Sequence, residues 1–270
     1  MDGIGKTSLL VAAMRAAESK RPDTEGRLFT DPFAEKLAGP EGFALLNKAI
    51  EISGDQPAIA IRTRFIDDRI KEALNNGYRQ IVMLAAGMDA RAFRLDFPAG
   101  TTLFEVDRKE VLDYKKEKLA EAKPRCERHT IASDLRQEWK NMLLNAGFKP
   151  KEKTIWMTEG LLMYLDEADV HTVIEKITQL AAKDDILLFD ILSRTLLEAP
   201  FMKNQLEFLA GIGAPWLFGS NDPVAFMKSF GWQAKLTQNG EVAPDRWPFP
   251  VIPLHVTNVP RGFFVQATKL

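Results

Sequence analysis

Ile81-Val82-Met83-Leu84-Ala85-Ala86-Gly87-Met88-Asp89-Ala90-Arg91 begins as an unbroken apolar run and turns at a single glycine. Apolar residues at consecutive rather than alternate positions mark a strand covered on both faces, as in a parallel sheet between helices. The first strand is read as Ile81–Ala85. Thr101–Val106 repeats the pattern and runs into Asp107; Thr154–Thr158 and Ile186–Ile191 repeat it again, with Arg128–Ala132 a weaker member between them. The intervening stretches carry helical spacing, clearest in Val170, Val173, Ile174, Ile177, Leu180 and Ala181, with Asp166 placed to cap that helix. Strands alternating with helices from Gln80 to Leu192 predict an α/β fold on a doubly wound, Rossmann-like sheet.

The flanks read differently. Before the sheet lie helices alone: Leu10–Lys20, short ones near Phe33–Leu37 and Phe43–Ile50, and a long one from Pro57 to Leu74. After Leu192 the chain is apolar and aromatic without strand alternation, which suits a helical cap inserted after the fifth strand. Trp232–Leu236 and Phe263–Thr268 suit two closing strands. The 270 residues are expected to form one domain, with helices at 1–76, the sheet core at 77–192, the cap at 193–230 and the closing strands at 231–270. Gly3-Ile4-Gly5-Lys6-Thr7-Ser8 imitates the end of a phosphate-binding loop, but no strand precedes it and the first glycine of that loop is missing. It is read as a tail leading into a helix.

Composition narrows the function classes. Thirty-six Lys and Arg balance 37 Asp and Glu, so nothing favours nonspecific nucleic-acid binding. One cysteine, Cys126, excludes an intrachain disulfide framework. No window is long and apolar enough for a membrane span, and Met1–Lys20 lacks a signal-peptide core, so the expectation is a cytoplasmic protein. His129, His171 and His255 have no metal-ligand spacing, and no metal site is expected. No G-x-S-x-G elbow offers a hydrolase nucleophile.

The turn at Gly87 follows the first strand, where such a sheet meets ligands, although one glycine does not make the dinucleotide pattern G-x-G-x-x-G. Asp107 ends the next strand twenty residues on, a spacing that suits a carboxylate accepting from ribose hydroxyls; Glu105 shares its face. Either acid could instead cap the following helix. In the long helix, Arg62 falls on the stripe of Ile59, Ile66 and Ile70, whereas Arg64 points nearly opposite. An arginine on an apolar face needs an anion, and on this argument alone a structural carboxylate is slightly favoured over a ligand. Asp134 and Glu159 close the third and fourth strands, so three acids should converge at one sheet edge.

Taken in order, Arg62-Thr63-Arg64-Phe65-Ile66-Asp67-Asp68, Leu84–Leu95, Phe104-Glu105-Val106-Asp107, Asp134-Leu135-Arg136 and Glu159–Leu165 resemble the leucine carboxyl methyltransferase family. The resemblance spans roughly residues 10–192, and Ala17–Arg21 and Phe29–Phe33 resemble the family's N-terminal helices. It implies a class I methyltransferase sheet and an S-adenosyl-L-methionine (SAM) site. Arg62 and Lys20 would hold the methionine carboxylate, Gly87 would lie under the cofactor and Asp107 would take the ribose. Asp134 and the Leu135 amide would read the adenine, and Glu159 would lie by the amino group. Arg136 and Tyr164, beside these motifs, are expected to orient the acceptor; on residue type alone they also read as a surface arginine and a core-edge tyrosine. The family usually has glycine where this chain has Ala85, which would weaken binding if the position needs a glycine-only backbone.

The function expected is methylation of a carboxyl or hydroxyl group on a small, polyketide-like molecule. Phe201, Phe208, Trp216, Phe218, Trp247 and Phe249 are expected to build its apolar pocket. A protein C-terminal carboxylate as acceptor, a catalytically silent SAM binder and an NAD-linked oxidoreductase are the alternatives.

Overall fold

A computed structural model describes residues 3–54 and 57–270. Three helices come first: α1 (Gly3–Ser19), α2 (Ala34–Ser53) and α3 (Ala58–Asn75). The sheet unit follows as β1 (Gln80–Leu84), α4 (Arg91–Arg94), β2 (Thr102–Asp107), α5 (Lys109–Lys118), β3 (Glu127–Ala132), α6 (Lys140–Asn145), β4 (Thr154–Thr158), α7 (Glu167–Leu180) and β5 (Ile186–Leu192). The chain closes with α8 (Arg194–Leu197), α9 (Lys203–Gly211), α10 (Pro223–Ser229), β6 (Trp232–Gln238), α11 (Asn239–Val242) and β7 (Gly262–Lys269).

The seven strands lie in the order β3-β2-β1-β4-β5-β7-β6. The first five are parallel, with Leu84 opposite Val106 and Val82 opposite Trp156, while β7 runs antiparallel between β5 and β6. The pleat sorts each apolar run onto two faces. Ile81, Met83, Leu103, Ile155, Met157 and Leu188 pack toward the N-terminal helices. Val82, Phe104, Val106, Trp156, Leu187 and Phe189 pack toward Trp139, Val170, Val173, Ile174 and Ile177. Both faces are covered, which is why these strands read as continuous runs. Strand order reverses between β1 and β4, and the crevice there lies beyond the carboxyl ends of the strands.

Three local expectations are refined. Asp166 caps α7, its side chain accepting from the Asp169 amide at 2.8 Å. The two short helices are present as the two halves of α2, separated at Gly39 (φ 58°) before Pro40, since a residue ahead of proline is turned out of helical geometry. The expected tail at Gly3–Ser8 is already helical: a Cβ on Gly3 would sit 2.2 Å from the Ile212 carbonyl oxygen, so α1 starts seated against the end of α9.

Candidate active site

A cavity of about 510 Å³ opens at the carboxyl ends of β1, β2 and β4, within the range of small-molecule sites. Its floor is the turn after β1. Ala85 and Gly87 both adopt left-handed backbone, φ 56° and 48°. A Cβ on Gly87 would lie 3.1 Å from the Ser8 Cβ of α1, so the missing side chain keeps the floor and α1 apart. Ala85 meets the glycine-favouring angle as an L-residue, at a cost of about 1 kcal/mol.

Asp107 holds that turn. One carboxylate oxygen accepts from the Gly87 amide at 2.6 Å and the other from the Arg108 amide at 2.7 Å. Burial pushes its pKa up, and the two amides oppose the shift. Each oxygen keeps a lone pair, and the residue lines the cavity. Glu105 does something else: it is fully buried and accepts from Lys115 at 2.8 Å and from Arg128 at 2.9 and 2.8 Å, away from the cavity lining.

From the cavity wall into the helical layer runs a chain of buried charges. Arg62 donates to Glu159 and to Asp190, each at 2.9 Å. Arg91, 2% exposed, donates to Asp67 and Glu159 at 2.6 Å each and to Asp89. Arg94 pairs with Asp67 at 2.6 Å and approaches Asp31, which accepts from Arg15 at 3.0 Å. Among the described residues four arginines (Arg15, Arg62, Arg91 and Arg94) interlock with five carboxylates (Asp31, Asp67, Asp89, Glu159 and Asp190). Burial alone would raise Asp67, Asp89 and Glu159; the arginines reverse it, holding Asp89 down to about 2 and Asp67 and Glu159 below the usual range.

Of the residues singled out from sequence, Arg62, Gly87, Asp107, Asp134, Leu135, Arg136, Glu159 and Tyr164 line this one cavity. Lys20 does not. It lies past the end of α1, exposed, and pairs with Glu35 at 2.7 Å. The cavity cation from α1 is Arg15, one and a half turns earlier, which also donates to the Met88 carbonyl at 2.5 Å. Asp134 is bracketed by its neighbour: the Arg136 guanidinium binds it at 3.0 and 2.5 Å and lowers it to about 2. Arg136 itself is exposed at the rim. Tyr164 meets Trp216 edge-on, ring centroids 6.5 Å apart.

The expected aromatic pocket is corrected. Of its six rings only Trp216 lines the cavity. Phe218 is buried beside Phe226 in the sheet core, Phe201 is 70% exposed, Phe208 and Trp247 pack on the helical side, and Phe249 sits in the loop before β7. The short cap helices turn those rings onto the sheet and solvent; the cavity's apolar wall comes instead from Val11, Ile59, Met163, Leu165 and Leu217. Sequence reasoning also missed Asp190, whose signal was a lone acid inside Leu187-Leu188-Phe189-Asp190-Ile191. No group of His, Cys, Asp and Glu suited to a metal exists among the described residues, and none of their helices is long and apolar enough to cross a membrane.

The leucine carboxyl methyltransferase family pattern matches residues 8–178. A Parafrankia sp. (strain EAN1pec) protein is 36% identical over 282 aligned residues, covering 99% of this chain and 87% of its own. A Mycolicibacterium smegmatis protein is 35% identical over 263, covering 90% and 87%. The names of both relatives assign them, provisionally, as SAM-dependent methyltransferases. Among solved structures, a DUF574 family protein from Streptomyces avermitilis superposes with a TM-score of 0.65 at 11% identity, covering 96% of this chain and 97% of its own. A provisionally assigned methyltransferase from Thermobifida fusca superposes at 0.62 and 18% identity, covering 88% and 92%. At these identities the structural likeness shows a shared fold.

Proposed function

Because the chain belongs to the leucine carboxyl methyltransferase family, we propose that this cavity makes it a SAM-dependent O-methyltransferase acting on a carboxyl or hydroxyl group of a small, largely apolar molecule. The observation that carries the reading is Asp107, fixed at the end of β2 by the Gly87 amide with its free lone pairs at the cavity. That is what a ribose diol requires.

The donor set fits the rest of the cofactor. An amino-acid end group carries both charges side by side, and Arg62 beside Glu159 presents the complementary pair. Arg15 takes the place expected of Lys20 as the second cation. Among the described residues lining the cavity, six carboxylates (Asp89, Asp107, Asp134, Glu159, Asp166 and Asp169) face four arginines (Arg15, Arg62, Arg108 and Arg136), a balance that suits a ligand bearing a sulfonium. Asp134 and the Leu135 amide are the groups for the adenine edge.

When bound, SAM supplies an electrophilic methyl group on sulfur. The protein's task is alignment, worth up to roughly 7–11 kcal/mol in the best intramolecular cases. Tyr164, whose hydroxyl makes no hydrogen bond among the described residues, is the donor for orienting the acceptor oxygen, with Arg136 beside it at the rim. A carboxylate acceptor is ionised at neutral pH and needs no base; no histidine, lysine or cysteine lines the cavity among the described residues. Residues 193–220 hold two basic side chains, Arg194 and Lys203, each beside a carboxylate (Glu167 and Glu207), a sparse cationic surface that favours a small molecule over an acidic protein tail.

Calorimetry should show binding of SAM and none of NAD, and labelled methyl should pass from SAM to a member of a panel of small carboxylic acids and phenols. Absence of SAM binding would overturn the reading; binding without transfer to any acceptor would favour a silent binder. Arg62→Ala should weaken SAM at least tenfold, since a charge-assisted hydrogen bond is worth about 1.5–3 kcal/mol. Arg64→Ala should change it less than twofold, because Arg64 is half-exposed and paired with Asp68 at 2.6 Å. Equal losses at the two positions would refute the assignment of Arg62.

A further inference from the structure

Asp190 is a charge in the wrong place for a strand. It sits in β5 among Leu187, Leu188, Phe189 and Ile191, is 6% exposed, and does not line the cavity. A buried carboxylate is kept only where its hydrogen bonds compensate for lost water. Its bonds go to two elements of the cavity wall: one oxygen accepts from Arg62 Nη1 at 2.9 Å and the other from the Gly160 amide at 2.6 Å. Gly160, at φ 62°, is shaped to the same guanidinium; a Cβ there would come within 3.1 Å of Arg62 Nη1.

Arg62 is a long side chain on α3 reaching across to the ends of β4 and β5. Left to itself it would sample many rotamers, and immobilising it costs side-chain entropy. Asp190 from one side and Glu159 from the other fix the guanidinium plane before any ligand arrives. Such pre-organisation raises affinity by removing an ordering cost that binding would otherwise carry.

We infer that Asp190 is a positioning residue: through Arg62 and the Gly160 amide it sets the subsite for the amino-acid end of the cofactor. The inference rests on the SAM reading above and deepens it. Asp190→Asn keeps the shape and one acceptor oxygen for Gly160, but turns an amide donor against Arg62 Nη1, donor against donor.

The test uses two probes that share adenine, ribose and sulfur. S-adenosylhomocysteine carries the amino-acid end; 5′-methylthioadenosine lacks it. Calorimetry on Asp190→Asn should show S-adenosylhomocysteine weakened about tenfold, with 5′-methylthioadenosine changed less than twofold. Gly160→Ala, which crowds the same guanidinium from the other side, should give the same split and covers the case in which Asp190→Asn does not fold. Equal weakening of both probes means that Asp190 merely supports the fold, and no weakening of either means that it does nothing for binding; each result overturns the inference. If the unaltered protein binds neither probe, the SAM reading itself falls.

Discussion

Arg91→Met is expected to destabilise the protein by about 3–5 kcal/mol at pH 7, the loss typical when one partner of a buried ion pair is removed. Arg91 is 2% exposed and serves Asp67, Asp89 and Glu159 together. Methionine fills much of the volume but leaves three largely buried carboxylates short of a cation, two of them, Asp89 and Glu159, at the cavity wall. Against a net stability of about 5–15 kcal/mol this is a large fraction. The pH dependence identifies the cause. In the unaltered protein these acids are held below their ordinary values, Asp89 at about 2. Their contribution is therefore present above the unfolded pKa near 4 and lost as pH falls through the folded values. Without Arg91, burial pushes the same acids up, so protonation relieves the strain and the deficit should shrink between pH 7 and pH 5. Urea unfolding at both pH values checks this. A deficit below 1 kcal/mol, or one of equal size at both, would show that the network is better solvated than its burial implies.

Asp107→Ala is expected to weaken S-adenosylhomocysteine at least a hundredfold by calorimetry, from two charge-assisted bonds at about 1.5–3 kcal/mol each. The same change frees the Gly87 and Arg108 amides that the carboxylate now holds, so the turn loosens as the ligand contact goes. Because the ribose is common to both probes, 5′-methylthioadenosine should weaken as much, unlike the split expected at Asp190. Retained affinity for both would remove Asp107 from the site.

Much of this arrangement is legible from residue order. Strands β1, β2, β4 and β5 announce themselves because both faces are covered. β3 is fainter because it is the sheet edge: of Glu127–Ala132 only Ile131 is buried. Arg62 is visible from helical phase, and the sheet's topology brings Asp107, Asp134 and Glu159 to one edge. What escapes is pairing in three dimensions. Arg15 and Lys20 both sit near the end of an alanine-rich helix, and only the packing of α1 decides which faces the cavity. Asp190 lies 128 residues from the arginine it holds. The cap aromatics fail as a pocket because short helices joined by turns carry no periodicity from which their orientation can be predicted.

Ala85 bears on how such a protein can change over generations. Its left-handed backbone withholds about 1 kcal/mol from a fold with a net margin near ten. Most substitutions that reshape a pocket cost roughly that much. Since glycine occupies this angle freely, a lineage acquiring it would gain slack at the cavity floor, next to the walls that choose the acceptor. Tolerance for new specificity would then originate inside the site, whereas a better-filled interior elsewhere in the chain could supply it only from a distance.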